Sequence, residues 1–358
     1  MFLNIKRNVS FIAVFCIFIL TFFSFTSFAE ILPGHQDHLE GKTFEVYDEE
    51  GEYIFATGRT VTVGDRYISS DNIEYTIKEV KENTAIARKL GSVNLLAGAA
   101  DEVSLMPPMA QDDERAIGIF HTHNGESYLP GEPNVEGNGD IYDVGKTLKS
   151  RLEERNIDAL HSANLHLPHD GASYERSRAT ALELARSGVD ALFDVHRDAI
   201  PRREEYLERV NNQLISQVRL VVGRQNPNNS VNDQFARRLK AVADEHYPGL
   251  IKDIFYGNGN YNQQIAPHSL LLEFGTYVTS KEQAQASTVM FADVVNRLLY
   301  GEGAEGLQEA ESRSGVFNAL WIIIFAAAGI LLYLYINKGS WEEIWKEIKR
   351  FFGRTVRD

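Results

Sequence analysis

The sequence predicts an α/β fold: a mostly parallel sheet flanked by helices, preceded by a small β-rich domain and followed by one transmembrane helix. Three observations predict it. From Arg115 to Tyr300, short apolar runs alternate with amphipathic helical segments, the rhythm of a sheet covered on both faces. From about His35 to Lys89, apolar residues recur with period two between turn signals. From Val316 to Ile336 there are 21 residues without a charge, enough for a helix to cross about 30 Å of hydrocarbon.

The elements follow in order. Lys6 and Arg7 precede an apolar run from Phe11 to Phe23, and Ser27-Phe28-Ala29 supplies small residues, so 1–29 reads as a secretory signal, with an uncleaved anchor as the alternative. In the β-rich domain (30–90), Phe44 and Val46, Tyr53 and Phe55, Val61 and Val63, Tyr75 and Ile77, and Ile86 fit half-buried strands, with turns at 48–51 and at Gly64-Asp65. No chemical constellation appears there. Residues 91–114, rich in small residues and proline, read as a linker. The main domain (115–302) has strands at Ala116–Phe120, Ala159–His161, Ala191–Val195, Gln217–Val222 and Ser269–Phe274. Its helices fall at Asp143–Glu154, Tyr174–Ser187, Val231–Tyr247 and Ser280–Leu299. A juxtamembrane linker (303–315), the apolar span (316–336) and a basic amphipathic tail (337–358) complete the chain. Lys338, Lys346, Lys349, Arg350, Arg354 and Arg357 follow the span, which places the tail in the cytoplasm and the body outside. The expected location is therefore exported and membrane-anchored, with the main domain extracytoplasmic.

Composition narrows the chemistry. The only cysteine, Cys16, lies in the signal, which excludes a thiol nucleophile and disulfides from the body. Between signal and tail, 28 basic residues face 46 acidic ones, which argues against nucleic acid as a partner.

Ligands of open α/β sheets bind at the carboxyl ends of strands. Three predicted strands end there in His121 and His123, in His196, and in Glu273. Hydrolytic zinc takes three protein ligands, often two histidines and a carboxylate, and leaves a position for water. His123-Asn124-Gly125-Glu126 offers a histidine and a carboxylate three residues apart, and His196 completes the set. On a continuing strand His121 and His123 share a side, so either could be the ligand; His123 is preferred for its His-x-x-Glu spacing. His121 then becomes a neighbour of the metal or a catalytic group. The spacing is similar to that of zinc carboxypeptidases, in which the later glutamate is a base and not a ligand, a role that Glu273 fits. Asp198 or Asp194 could hold a ligand ring, and Arg197 or Arg178 could bind substrate. His166 and His169 read as residues of a surface loop, and His268 as a possible neighbour of the site.

The segments Ile119-Phe120-His121-Thr122-His123-Asn124-Gly125-Glu126-Ser127-Tyr128-Leu129-Pro130, Ser173-Tyr174-Glu175-Arg176-Ser177-Arg178 and Asp194-Val195-His196-Arg197-Asp198-Ala199 resemble the signatures of the stage II sporulation protein P family. The resemblance covers roughly Arg115 to Tyr300. It implies a phosphorylase/hydrolase-like sheet and a zinc-dependent N-acetylmuramoyl-L-alanine amidase acting on peptidoglycan, with some members also cutting peptide cross-links. It also implies a part in sporulation and engulfment beside a lytic transglycosylase of the stage II sporulation protein D type. The C-terminal span departs from the N-terminal anchoring of that family. Two other functions compete: a carboxypeptidase-like zinc exopeptidase, which needs a cation for the substrate's terminal carboxylate, and a non-catalytic wall-binding protein.

Overall fold

The structure, a computed structural model, describes residues 43–96 and 116–301. Eleven strands form one sheet in the order β2-β1-β5-β4-β3-β12-β11-β13-β8-β6-β7. The N-terminal strands are β1 (Phe44–Asp48), β2 (Tyr53–Thr57), β3 (Arg66–Ile68), β4 (Ile73–Lys81) and β5 (Thr84–Ser92). Then come β6 (Ala116–Phe120), α1 (Asp140–Glu153), β7 (Asp158–His161), α2 (Ser173–Arg186) and β8 (Ala191–Asp198). A separate hairpin, β9 (Leu207–Val210) with β10 (Gln213–Ser216), leads to β11 (Val218–Gly223), α3 (Asn229–His246), β12 (Ile251–Gly257), β13 (Ser269–Thr276) and α4 (Lys281–Tyr300).

The expected fold class needs three corrections. First, the sheet is mixed. β6 pairs in parallel with β7 and β8, β8 with β13, and β11 with β12, but β11 runs antiparallel to β13. The reason is connectivity: a parallel return needs a crossover, usually a helix. A helix separates β6 from β7, β7 from β8 and β11 from β12. No α-helix lies between β8 and β11 or between β12 and β13, so the chain runs straight back at those two places. Second, the β-rich region shares the main sheet, because β3 pairs antiparallel with β12 through Ile68↔Ile254, Tyr67↔Phe255 and Arg66↔Tyr256. Third, among the described residues no helix is long and apolar enough to cross a membrane. The fold class of the described residues is therefore a large mixed sheet with helices, and none of their helices supports the expected transmembrane helix or the single-pass location that rests on it. The apolar stretches in 1–29 and 316–336 lie outside the described residues, as do the juxtamembrane segment and the tail.

The two faces of the sheet are covered differently. Phe193 and Val195 of β8, Leu220 and Val222 of β11, and Leu270, Leu272 and Phe274 of β13 point into the main core. There they meet Leu148 of α1, Phe235 of α3 and Phe291 of α4. Burying each such side chain stabilises by about 1.5–3 kcal/mol relative to exposure. The alternate residues face the other way. On that face α2 packs Ala181 and Leu184 on Phe120 and Leu192. The N-terminal strands curl over the rest, where Phe55 of β2 stacks on Tyr67 at 4.0 Å and meets Phe255 at 6.0 Å. Asp194 and His196 of β8, Arg219 of β11, Asp253 of β12 and Glu273 of β13 alternate with the core residues and lie on this second face.

Candidate functional site

β6 stops at Phe120 and the chain turns, so His121 and His123 diverge instead of sharing a side. The turn is pinned by Val135, whose N–H donates to Gly125 O at 2.9 Å. A Cβ at Gly125 would lie 2.3 Å from Val135 O, so only glycine lets the strands of this loop approach. Glu126 next to it is fully buried, and an isolated bridge ties it to Asn134.

The structure brings together His123, Glu126 and His196, whose ligand atoms lie within 4.8 Å of one another. Nδ1 of His123 and Nδ1 of His196 stand 3.2 and 3.4 Å from the same oxygen, Glu126 Oε1. The other oxygen, Oε2, accepts the Arg197 backbone N–H at 2.9 Å. Behind His196, Asp194 Oδ1 stands 2.8 Å from Nε2. Asp194 is itself held by the Thr122 N–H at 2.8 Å and the Thr122 hydroxyl at 2.6 Å. Two imidazoles and a carboxylate converging on one point, with a carboxylate behind one ring, suit a borderline-soft dication such as zinc. The residues fit the group.

Electrostatics agree with that fit. Burial holds His123 down to about 4, so it is neutral and able to ligate. Burial would also depress His196, but Asp194 and Glu126 outweigh it and lift the ring to about 9. Burial would raise Glu126, yet His196, His123 and Arg197 keep it well below the usual carboxylate range. Without metal, the trio therefore holds a proton on His196 between two carboxylates, where a dication would replace it.

Glu273 stands on the strand next to His196. The register pairs His196 with Glu273, Glu273 with Arg219, and Arg219 with Asp253, a polar row across β8, β13, β11 and β12. Glu273 is fully buried. Its Oε1 accepts from Arg59 Nε at 2.6 Å and its Oε2 from the Tyr206 hydroxyl at 3.0 Å. The same hydroxyl lies 2.9 Å from Asp198 Oδ2. A phenol donates one proton, so its second contact is favourable only when a carboxyl there is protonated. Burial and then Asp198 push Glu273 upward, against Arg59 and Arg219.

The remaining predicted residues distribute differently. His121 Nδ1 donates to Val195 O at 2.8 Å. Its Nε2 therefore accepts from His161 Nε2 at 2.8 Å, both rings being neutral through burial, near 4 and 3. Arg197 is no free substrate cation: it is buried and donates to Ser127 O at 3.1 Å, to Pro133 O at 2.7 Å and to Asn134 Oδ1 at 3.0 Å. It straps down the loop that carries Glu126. Asp198 holds no ligand ring; it accepts from Gly58 N–H, Ala199 N–H, the Tyr206 hydroxyl and Arg219. Arg178 is exposed on α2. His166 is buried and not on the surface: its Nδ1 donates to His121 O at 2.7 Å and Nε2 accepts from Thr180 at 2.9 Å. His169 stacks on His123 with centroids 3.9 Å apart. His268 precedes β13, at the opposite end of that strand from Glu273, and its Nδ1 donates to Asp190 O. Sequence reading missed Arg59, Tyr206, Arg219 and the proximity of His169. The local signal for Arg219 is a lone arginine inside the apolar run Val218–Gly223.

The family model for stage II sporulation protein P matches residues 47–296. Stage II sporulation protein P of Bacillus subtilis (strain 168) is 28% identical over 215 residues, which are 54% of this chain and 53% of that protein. The chain thus spans about half the length of that curated relative. Two solved amidases also align. The N-acetylmuramoyl-L-alanine amidase from Clostridium difficile 630 is 15% identical with a TM-score of 0.33, covering 55% of this chain and 95% of that one. Ami1 from Mycobacterium smegmatis is 13% identical with a TM-score of 0.35, covering 56% and 97%. The family match takes in β2 to β13, the three convergent side chains and Glu273, and on that match the chain belongs to the stage II sporulation protein P family.

Proposed function

We propose that this protein is a zinc-dependent cell-wall hydrolase that cleaves the amide between N-acetylmuramic acid and L-alanine in peptidoglycan, in the setting of sporulation. The observation that carries the reading is the convergence of His123, Glu126 and His196 beside Glu273 on the adjacent strand. Family membership supports it.

His123, Glu126 and His196 would hold the metal. Zinc supplies a lowered pKa for a water molecule and a polarised scissile carbonyl. Asp194 orients the His196 ring and keeps its Nδ1 turned toward Glu126. Arg197 fixes the Glu126 loop from below. Glu273 accepts the proton of the attacking water and returns it to the leaving amine; burial raises its affinity for that proton, as a base working near neutrality requires. Of the two cations that could serve the exopeptidase alternative, Arg197 is committed to Ser127, Pro133 and Asn134, and Arg178 is exposed on α2.

The test is digestion of muropeptides with mass analysis of the products, with and without chelator. Release of whole stem peptides is expected, abolished by chelator and reduced to a residual rate by Glu273→Gln, which should still bind stoichiometric zinc. Loss of a single terminal residue would favour the exopeptidase. A fully active Glu273→Gln protein would remove Glu273 from the mechanism, and absence of zinc would restore the wall-binding reading.

A further inference from the structure

We propose that Arg59 is a positioning residue for Glu273, so that the N-terminal strands are a working part of the site. The inference rests on Glu273 as the base. Arg59 lies two residues after the end of β2, and the curl of β1–β5 over the second face of the sheet carries it to a carboxylate 214 positions away in sequence. Its Nε donates to Glu273 Oε1 at 2.6 Å, and both side chains are fully buried.

Two features argue that this contact is built for position. The first is charge. Arg219, the other cation near Glu273, is already spent: it bonds Asp253 twice, at 2.7 and 3.0 Å, and Asp198 at 2.8 Å. It stays 3.6 Å from Glu273 Oε2. Arg59 is thus the near counter-ion of Glu273. A buried ion pair is a poor device for stability alone, since an apolar pair of like volume often does as well or better. Its yield is a fixed carboxylate orientation, with Oε1 tied to Arg59 and Oε2 to Tyr206.

The second feature is the seat of the segment. Gly58 N–H donates to Asp198 Oδ1 at 2.7 Å, and a Cβ at Gly58 would fall 2.6 Å from Ala199 Cβ. The backbone before Arg59 therefore lies against the end of β8, two residues beyond His196. The approach requires glycine and sets where the guanidinium arrives.

The experiment uses the full chain and compares Arg59→Ala, Arg59→Lys and Arg59→Gln, each also in the Glu273→Gln background. Zinc content and melting temperature are measured beside kcat and KM on muropeptides. Misplacing a reacting group by about 1 Å costs on the order of 100-fold. Arg59→Ala should therefore lower kcat about 100-fold with KM and zinc content little changed, and Arg59→Lys should recover part of the loss. In the Glu273→Gln background Arg59→Ala should cost nothing further. Gly58→Ala, which displaces the segment but keeps the guanidinium, should also lower kcat. A folded, zinc-loaded Arg59→Ala protein with kcat within twofold of the parent overturns the proposal. So does an equal loss in both backgrounds. If Arg59→Ala does not fold, the Lys and Gln variants decide, and equal turnover from them overturns it. A fully active Glu273→Gln protein instead overturns the base on which the inference rests, so the two failures are distinct.

Discussion

Asp194→Asn isolates the carboxylate behind His196, a proposed metal ligand. Asp194 Oδ1 takes the Thr122 N–H and faces His196 Nε2, each at 2.8 Å, while Oδ2 takes the Thr122 hydroxyl at 2.6 Å. Asparagine can keep its oxygen at the Oδ1 place. Its NH2 then meets the Thr122 hydroxyl, which can turn its own proton to Ser177 Oγ, 2.7 Å away. The shape and bond count survive, and what is lost is the charge on the acceptor. Hydrogen bonds to charged groups contribute about 1.5–3 kcal/mol and neutral ones about 0.5–1.5. The difference, about 1–2 kcal/mol, corresponds to a zinc Kd weaker by about 5–30-fold. The pH of the assay matters. At neutral pH zinc must displace the proton on His196, which Asp194 helps lift to about 9. Removing Asp194 eases that displacement and offsets part of the loss. Competition against a chromophoric chelator should therefore show the full effect near pH 9.5 and a smaller one near pH 7. A zinc Kd within twofold of the parent at pH 9.5 would refute the reasoning.

Other outcomes follow from the same geometry. Chelator should lower the melting temperature: at 100 times its Kd, zinc stabilises by about 2.7 kcal/mol, which is roughly 5–10 °C for a domain of this size. An unchanged melting curve would deny a metal at His123, Glu126 and His196. Gly125→Ala sets a methyl 2.3 Å from Val135 O and should cost about 1–3 kcal/mol while loosening the Glu126 loop, read as a lower urea midpoint with weaker zinc binding. In metal-free protein, stability should peak near pH 6.5. The buried neutral rings of His121 and His123, near 4, give stability that is full above 6.5 and lost as pH falls toward 4. His196, near 9, gives stability that is full below 6.5 and lost as pH rises to 9. His161 and His169, near 3, act in the same direction, so four rings act on the acid side and one on the alkaline side, each worth about 1.4 kcal/mol per pH unit, and the acid limb is steeper. A urea midpoint flat from pH 6.5 to 9 would contradict the charge assigned to His196.

Local pattern made much of this legible. Ala116–Phe120 is a strand at its expected bounds, and α1 to α4 start within three residues of theirs, because amphipathic spacing is a property of the segment itself. The cluster of His123, Glu126 and His196 could be read from spacing plus the rule that sites form at strand ends. What local pattern lacks is partner and direction. β12 went unseen because Lys252 and Asp253 interrupt its apolar run, and both are satisfied only in the tertiary structure, by Glu205 and Arg219. The reversal of β11 was encoded in the missing helix between Asp198 and Val218, a signal in connectivity and not in periodicity. Arg59 lies between the expected strands at Tyr53–Phe55 and Val61–Val63, and nothing near it in sequence announces Glu273. His166 was mistaken for a surface residue because its partners, His121 O and Thr180, lie 45 and 14 positions away.

The seam between β3 and β12 has a practical consequence. All seven residues of β12 are buried, and one of its edges is closed only by β3. A fragment beginning near residue 115 would leave that edge with unpaired N–H and C=O groups and with Phe255 stripped of Phe55. An open, apolar edge recruits other strands, so such a fragment is expected to aggregate. The part of the molecule that carries His123, Glu126, His196 and Glu273 can therefore be studied in solution only together with the strands that precede it.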